Sequence, residues 1–173
     1  LPDDGILADE LCQTGFASYY AFPVYQPRTF VSSGYQGTLG SGFATALGAK
    51  VARPDVPVVS ICGDGGFMFA VQELSTAVQY GIAVTVLVFN NASYGNVRRD
   101  QQQRFDGREI ASALENPDFM KLADAFGVDG MTVRTPEDLR PALERSFASG
   151  RTTLIEIPLE LKDEASPWRF IHR

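Results

Sequence analysis

The chain has 173 residues and is 45% hydrophobic and 21% charged, a balance that excludes disorder and suits one globular domain. Its formal net charge of −6 argues against a nucleic-acid or anionic-membrane partner, and no apolar run reaches the roughly 18 residues of a membrane span. Two cysteines make no disulfide framework, so a reducing, cytoplasmic setting is expected, and the one histidine, His172, stands next to last.

In chain order, Ser41 to Ala52 reads as a helix of small residues, able to let another backbone approach closely. Val56 to Cys62 is apolar and β-branched, with Gly63 after it, and predicts a buried strand in which Cys62 is a small hydrophobe. From Phe67 to Gln79, the residues Phe67, Ala70, Val71, Leu74, Ala77 and Val78 recur at helical spacing. Ala83 to Phe89 is a second buried-strand run. Asn116-Pro117 opens a helix with Phe119, Leu122, Ala123 and Phe126 on one face, and Gly127 stops it. Thr135-Pro136-Glu137-Asp138 caps a helix carrying Leu139, Leu143 and Phe147, with Gly150 at its end. Thr152 to Ile157 is the last strand. This alternation predicts βαβ units, hence an α/β three-layer sandwich with a mainly parallel sheet and helices on both faces. No repeat or low-complexity segment divides the chain, so residues 1–173 are expected to form one domain with 160–173 as a C-terminal tail. Leu1 in place of Met suggests a piece processed or excised from a longer protein.

Ligands of parallel sheets bind beyond the C-terminal ends of the strands, so the turn after each strand matters most. Gly63-Asp64-Gly65-Gly66 comes after one strand and Asn90-Asn91 after the next. The 24 positions from 66 to 89 hold one helix and one strand, a single crossover that brings both turns to the same sheet edge. Asp64 and Asn91 supply hard oxygen ligands suited to Mg²⁺ or Ca²⁺. Eight of the 16 glycines lie between Gly34 and Gly66, and no Lys or Arg occurs between Arg53 and Arg98. A diphosphate held there would be neutralised by a divalent metal and a helix N-terminus rather than by a local cation. Neither a Gly-Lys-Ser/Thr phosphate loop nor a Gly-x-Gly-x-x-Gly after a strand is present, which favours a metal-bridged diphosphate over a nucleotide. Each turn alone is an ordinary one; the spaced set is specific.

With Gly63-Asp64-Gly65, the 24-residue spacer and Asn90-Asn91, the chain resembles the thiamine-diphosphate-dependent enzymes. The likeness runs from about Leu7 to Leu159 and is greatest to the C-terminal diphosphate-binding domain of the acetolactate synthase and benzoylformate decarboxylase group. Gly37-Thr38-Leu39-Gly40, Tyr94-Gly95 and Asn116-Pro117-Asp118-Phe119 add to it. The resemblance implies thiamine diphosphate and Mg²⁺ as cofactors, with Asp64 and Asn91 ligating the metal through side chains and Ser93 through its backbone carbonyl. It implies that Gly65 and Gly66, and the turn at Gly95-Asn96, offer N–H groups to the diphosphate, with Gly63 and Tyr94 in the same motifs. Glu10-Leu11-Cys12-Gln13 resembles the first diphosphate loop, making Cys12 and Gln13 expected contacts; a plain structural role for Cys12 stays open. Leu39 matches the apolar residue beneath the bent cofactor, and the Gly37 carbonyl would accept from the pyrimidine amino group.

In that family the thiazolium carbon attacks a 2-oxo acid, and after loss of carbon dioxide the product is protonated or adds to another carbonyl. The activating glutamate belongs to a pyrimidine-binding domain that this chain lacks, and Glu73 has no motif support as a substitute. The implied reading is one part of a 2-oxo-acid decarboxylase or carboligase: no catalytic residue of its own, an inactive isolated chain, a small 2-oxo acid as substrate, a pyrimidine-binding domain from the same or another chain as partner, and a homo-oligomer. Whether FAD accompanies thiamine diphosphate would be decided by a middle domain outside this sequence. Two other readings stay open: a separate small subunit of a two-chain decarboxylase, and a non-catalytic domain binding a metal–phosphate ligand. Asp100 stands where acetolactate synthases carry a tryptophan, which sets this stretch apart from them. Arg98, Arg99, Arg104 and Arg108 suit either an anionic substrate or a solvated loop, and Trp168 and Phe170 either a lid or surface packing.

Overall fold

Near-continuous apolar runs build a sheet buried on both faces, and the loops between strands decide where its open edge lies. The computed structural model describes residues 1–34 and 36–160. Residues 161–173 of the expected 160–173 tail, Trp168 and Phe170 among them, lie outside the described residues. The elements run β1 (Ile6–Ala8), α1 (Gln13–Ala21), β2 (Phe30–Val31), α2 (Ser41–Ala52), β3 (Val58–Gly63), α3 (Asp64–Phe67), α4 (Glu73–Tyr80), β4 (Thr85–Asn90), α5 (Gly95–Arg104), α6 (Phe119–Phe126), β5 (Asp129–Thr132), α7 (Pro136–Ser149) and β6 (Thr153–Pro158). Among the described residues six strands pair in the order β2-β1-β3-β4-β6-β5, and every pairing between them is parallel. The expected three-layer α/β sandwich is the fold.

Ser60 sits level with Val86, and Val86 with Leu154, so alternate residues of neighbouring strands share a face. One face carries Ile6, Ala8, Val58, Cys62, Val86, Val88 and Leu154 against α2, α3, α4 and α6. The other carries Leu7, Val59, Ile61, Leu87 and Ile155 against α7 and the ends of α1. On the first face Phe43, Phe67 and Phe119 join in a row, with ring centroids 5.8 and 6.1 Å apart. That row anchors α3, a helix of one turn, to the longer helices on either side of it. None of the helices among the described residues is long and apolar enough to cross a membrane.

The helix expected over 67–79 is two pieces. α3 begins three residues early, at Asp64, and residues 68–72 are turns before α4 starts at Glu73. Phe69 N–H donates to Gly66 O, Ala70 to Phe67, Glu73 to Ala70 and Leu74 to Val71, all three-residue closures. Such tighter turns keep Phe67, Ala70, Leu74 and Ala77 on the buried side, so the apolar spacing persists where the α-helix does not. Val78, expected on that face, is 47% exposed. Asn116-Pro117 does not open α6 either. Asp118 is the cap, its Oδ1 accepting from Met120 and Lys121 N–H at 3.1 Å each, and Asn116 is left to point elsewhere.

β1 lies between β2 and β3, so the chain leaves β1 in one direction and returns through α2 to pair on its other side. The strand order therefore reverses at β1/β3, the switch point where open α/β sheets form a crevice.

Candidate functional site

A cleft of about 100 Å³ opens at that switch point, lined by residues 11–14, Leu39, 63–66, Phe89, Asn91, 93–97 and Leu159. It is well below the roughly 300–1,000 Å³ of a complete small-molecule site, as one wall of a larger site would be. Among the expected residues, Cys12, Gln13, Leu39, Gly63, Asp64, Gly65, Gly66, Asn91, Ser93, Tyr94, Gly95 and Asn96 all line it. Gly37 does not. It stands behind Leu11, whose side chain would lie 2.8 Å from a Cβ placed there.

Asp64 caps the end of β3 as the first residue of α3 and is 2% exposed. Its Oδ2 accepts from Asn116 Nδ2 at 2.6 Å, and the same amide donates to Asn90 Oδ1 at 2.9 Å. Asn90 Nδ2 in turn donates to Glu156 Oε1 on β6 at 2.8 Å. This chain of amides locks the Asp64 carboxyl across three strands. Asn90 and Asn91 thus divide the labour of their motif: Asn90 holds Asn116, and Asn91 faces the cleft.

Burial pushes the Asp64 carboxyl above its ordinary value, opposed by the Asn116 bond and by the N–H groups of Gly65, Ser93 and Ala92. Ala92 turns the chain with φ of 52°, left-handed for a non-glycine residue. Beyond it, Ser93 pairs with Ala113, the bonds running from Tyr94 N–H to Ser112 O and from Leu114 N–H to Ala92 O. The Ser93 hydroxyl is spent on Ser112 O at 2.8 Å, whereas the Ser93 carbonyl stays outside the pairing.

These groups fit a hard cation. The carboxylate is desolvated, no Lys or Arg shares an ion pair with it among the described residues, and amide and carbonyl oxygens stand beside it. No group of three His, Cys, Asp or Glu side chains that could hold a metal occurs among the described residues, so a softer transition-metal site is not built here.

Backbone forms the opposite wall. A Cβ at Gly65 would lie 2.4 Å from the Tyr94 ring, and one at Gly66 2.5 Å from Glu10 Oε1. Neither position has room for a side chain, so Gly65 and Gly66 line the cleft with backbone alone. Cys12 caps α1, its Sγ accepting from Gly15 N–H at 3.3 Å, and burial pushes its thiol up to about 12. It is a neutral cap at the cleft rather than a nucleophile.

The four arginines separate. Arg98 pairs with Glu109 at 2.6 Å, Arg104 with Asp100 at 3.8 Å, and Arg108 donates to Phe105 O at 3.0 Å. Arg99 turns inward, and the Gln13 amide, oxygen toward the guanidinium, accepts from it at 2.7 Å. Sequence reading passed over Asn116 and Glu10 as site residues. Asn116 had a signal: it precedes a proline, which favours extended backbone, and Asp118 already supplies the cap.

A parallel three-layer sheet with this cleft at its switch point is the thiamine-diphosphate-binding fold. Residues 12–157 match the family described as thiamine pyrophosphate enzyme, C-terminal TPP binding domain, and the chain belongs to that family. It is 36% identical over 148 residues to the acetolactate synthase large subunit of Haemophilus influenzae, covering 84% of this chain and 26% of that protein. With the mitochondrial acetolactate synthase catalytic subunit of Aspergillus candidus it shares 40% identity over 141 residues, 82% of this chain and 20% of that one. Among solved structures, the thiamine diphosphate-dependent 4-hydroxybenzoylformate decarboxylase of Rhodococcus jostii RHA1 superposes with a TM-score of 0.84 at 32% identity, over 95% of this chain and 31% of that one. The chain thus spans about a quarter of the length of the relatives it matches.

Proposed function

We propose that the chain forms the Mg²⁺-dependent, diphosphate-binding wall of a 2-oxo-acid decarboxylase or carboligase. The observation that carries this is the buried Asp64 carboxyl, locked by Asn116 beside Asn91 and the Ser93 carbonyl with no Lys or Arg paired to it among the described residues. Asp64, Asn91 and the Ser93 carbonyl would hold Mg²⁺. N–H groups of Gly65 and Gly66, and of the turn at Gly95 and Asn96, would take the diphosphate, with Cys12, Gln13, Gly63 and Tyr94 around it. Leu39 would support the cofactor from below, and the Gly37 carbonyl would meet its pyrimidine.

Thiamine diphosphate, when bound, supplies the electron sink that lets a 2-oxo acid lose carbon dioxide. The residues of this chain bind, orient and exclude water: the amide chain fixes Asp64, and Leu11, Leu39, Phe89, Val97 and Leu159 make the apolar side of the cleft. The group that moves the cofactor's proton would come from a pyrimidine-binding domain, in the same or another chain. The small size of the cleft and the quarter-length span of the relatives support that division.

The experiment is Asp64→Ala in the natural full-length protein, with thiamine diphosphate titrated by calorimetry at saturating Mg²⁺. Binding is expected to fall at least a hundredfold, far more than the modest fall in ligand-free melting temperature caused by the donors of Asn116 and the N–H groups of Gly65, Ala92 and Ser93 losing their acceptor. Unchanged Mg²⁺-dependent binding would sink the assignment.

A further inference from the structure

Glu10 places a carboxyl directly behind Gly66, one of the residues that line the cleft. It stands two residues beyond β1, is 1% exposed, and no ion pair reaches it among the described residues. Oε1 accepts the N–H of Gly40, at the start of α2, and Oε2 is buried without a hydrogen-bond partner. The sequence makes room for it with three glycines. A Cβ at Gly15 would lie 1.9 Å from the Glu10 carbonyl oxygen, one at Gly42 2.8 Å from its Cβ, and one at Gly66 2.5 Å from Oε1. Gly40 itself has φ of 86°, and a Cβ there would strike Phe69 at 2.8 Å, so its position is set from both sides.

The segments that meet at Glu10 lead into the cleft wall: Leu11 to Thr14 follow it, Gly40, bonded to it, adjoins Leu39, and Gly66 lies against it beside Gly65. We propose that Glu10 is a positioning residue whose neutral carboxyl fixes Gly40 and the Gly65–Gly66 turn at one spacing, so that Leu39 and the α3 N–H groups address the same cofactor. This rests on the reading of the cleft as a diphosphate site. Neutrality comes from the surroundings. Asp9, the preceding residue, is also buried, and an ionised Glu10 would confront a bound diphosphate across the bare Gly66 backbone. Burial pushes the Glu10 carboxyl upward and Asp9 adds to this, against the Cys62 thiol and the Gly40 N–H.

The test compares Glu10→Gln, Glu10→Leu and Glu10→Asp in the natural full-length protein, with thiamine diphosphate and Mg²⁺ titrated by calorimetry. Glu10→Gln keeps an acceptor for Gly40 and no charge, and weakens binding threefold at most. Glu10→Leu fills the cage without a polar atom and weakens it more than tenfold; Glu10→Asp, one methylene short of Gly40, does the same and serves if the leucine variant does not fold. Infrared difference spectra of the unmutated protein at neutral pH show a protonated carboxyl band that Glu10→Gln removes. Equal loss in Glu10→Gln and Glu10→Asp, or no such band, overturns the proposal. So does full-strength binding by Glu10→Leu or, where that variant does not fold, by Glu10→Asp. If the unmutated protein binds no thiamine diphosphate, the cofactor reading fails and the proposal falls with it; if it binds and only the variants disagree, the cofactor reading stands.

Discussion

Residues 1–66 and residues 116–160 solve different problems with the same sheet. The later segment is built of regular, self-sufficient parts. α6 is capped by Asp118 and α7 preceded by Thr135, both end in left-handed glycines, Gly127 and Gly150, and their apolar faces pack on β4, β5 and β6. The earlier segment has short strands of two and three residues, a helix of small residues, and three buried carboxylates at one edge, Asp9, Glu10 and Asp64. Oxygens of Asp9 and Glu10 lack partners there, which costs folding free energy. The scaffold half holds the fold; the site half is held in place by it.

The sharpest way to break that comparison is Phe119→Ala. Phe119 is buried and packs against Phe67 with the rings tilted by 56°, so its loss is expected to cost about 3–5 kcal/mol in urea unfolding. Because Phe67 ends α3, cofactor affinity should drop with it. Undiminished affinity in the folded fraction would show that the two regions are independent.

Asn116→Ala cuts the link itself. Asp64 and Asn90 each lose a hydrogen bond, worth about 1–3 kcal/mol, read as an approximately tenfold or greater loss of Mg²⁺-dependent thiamine diphosphate binding with a small change in melting temperature. Equal losses in binding and stability would make Asn116 part of the scaffold instead. Asp118→Ala, two residues away, removes a helix cap and an exposed ion pair with Lys121 at 3.4 Å. It is expected to cost about 1 kcal/mol and leave cofactor affinity unchanged.

The smallest effect is in the pH dependence of the ligand-free protein. Burial raises the Asp9 and Glu10 carboxyls above their ordinary 3.8 and 4.5. Below those values both carboxyls are protonated in native and unfolded chains alike, and their favourable contribution is fully present. As pH rises from there through the raised native values, the native state holds protons the unfolded state has released, and that contribution is lost. The urea midpoint should therefore decline across that window, and Asp9→Asn should flatten the decline. A midpoint that climbs there would show the carboxyls are stabilised as anions.

How far the sequence could be read obeys the same division. α2 begins and ends where its small residues do, and α6, α7 and the three long strands fall within two residues of their expected limits, apart from the opening of α6. Those elements carry long periodic patterns with stop signals. β1, β2 and β5 gave no such signal, being two to four residues long and, for β5, largely exposed. α5 was legible only as a basic run; its burial pattern is flat, and its helix is fixed by bonds such as Gln101 to Ile110 and Arg98 to Glu109. The break at residues 68–72 was hidden because three-residue turns preserve the apolar spacing of a helix.

The sequence by itself determined the α/β alternation, the glycine-flanked Asp64 and the Asn pair one crossover later, since local propensity and chain geometry leave few other outcomes. Tertiary structure decided what those residues do to one another. It split the Asn pair into a support and a cleft residue, drew Asn116 out of a helix cap and onto Asp64, and buried Glu10 among Gly15, Gly42 and Gly66. Those assignments depend on close approaches between segments far apart in the chain, where sub-ångström clearances, invisible to any periodicity, settle which side chain fits.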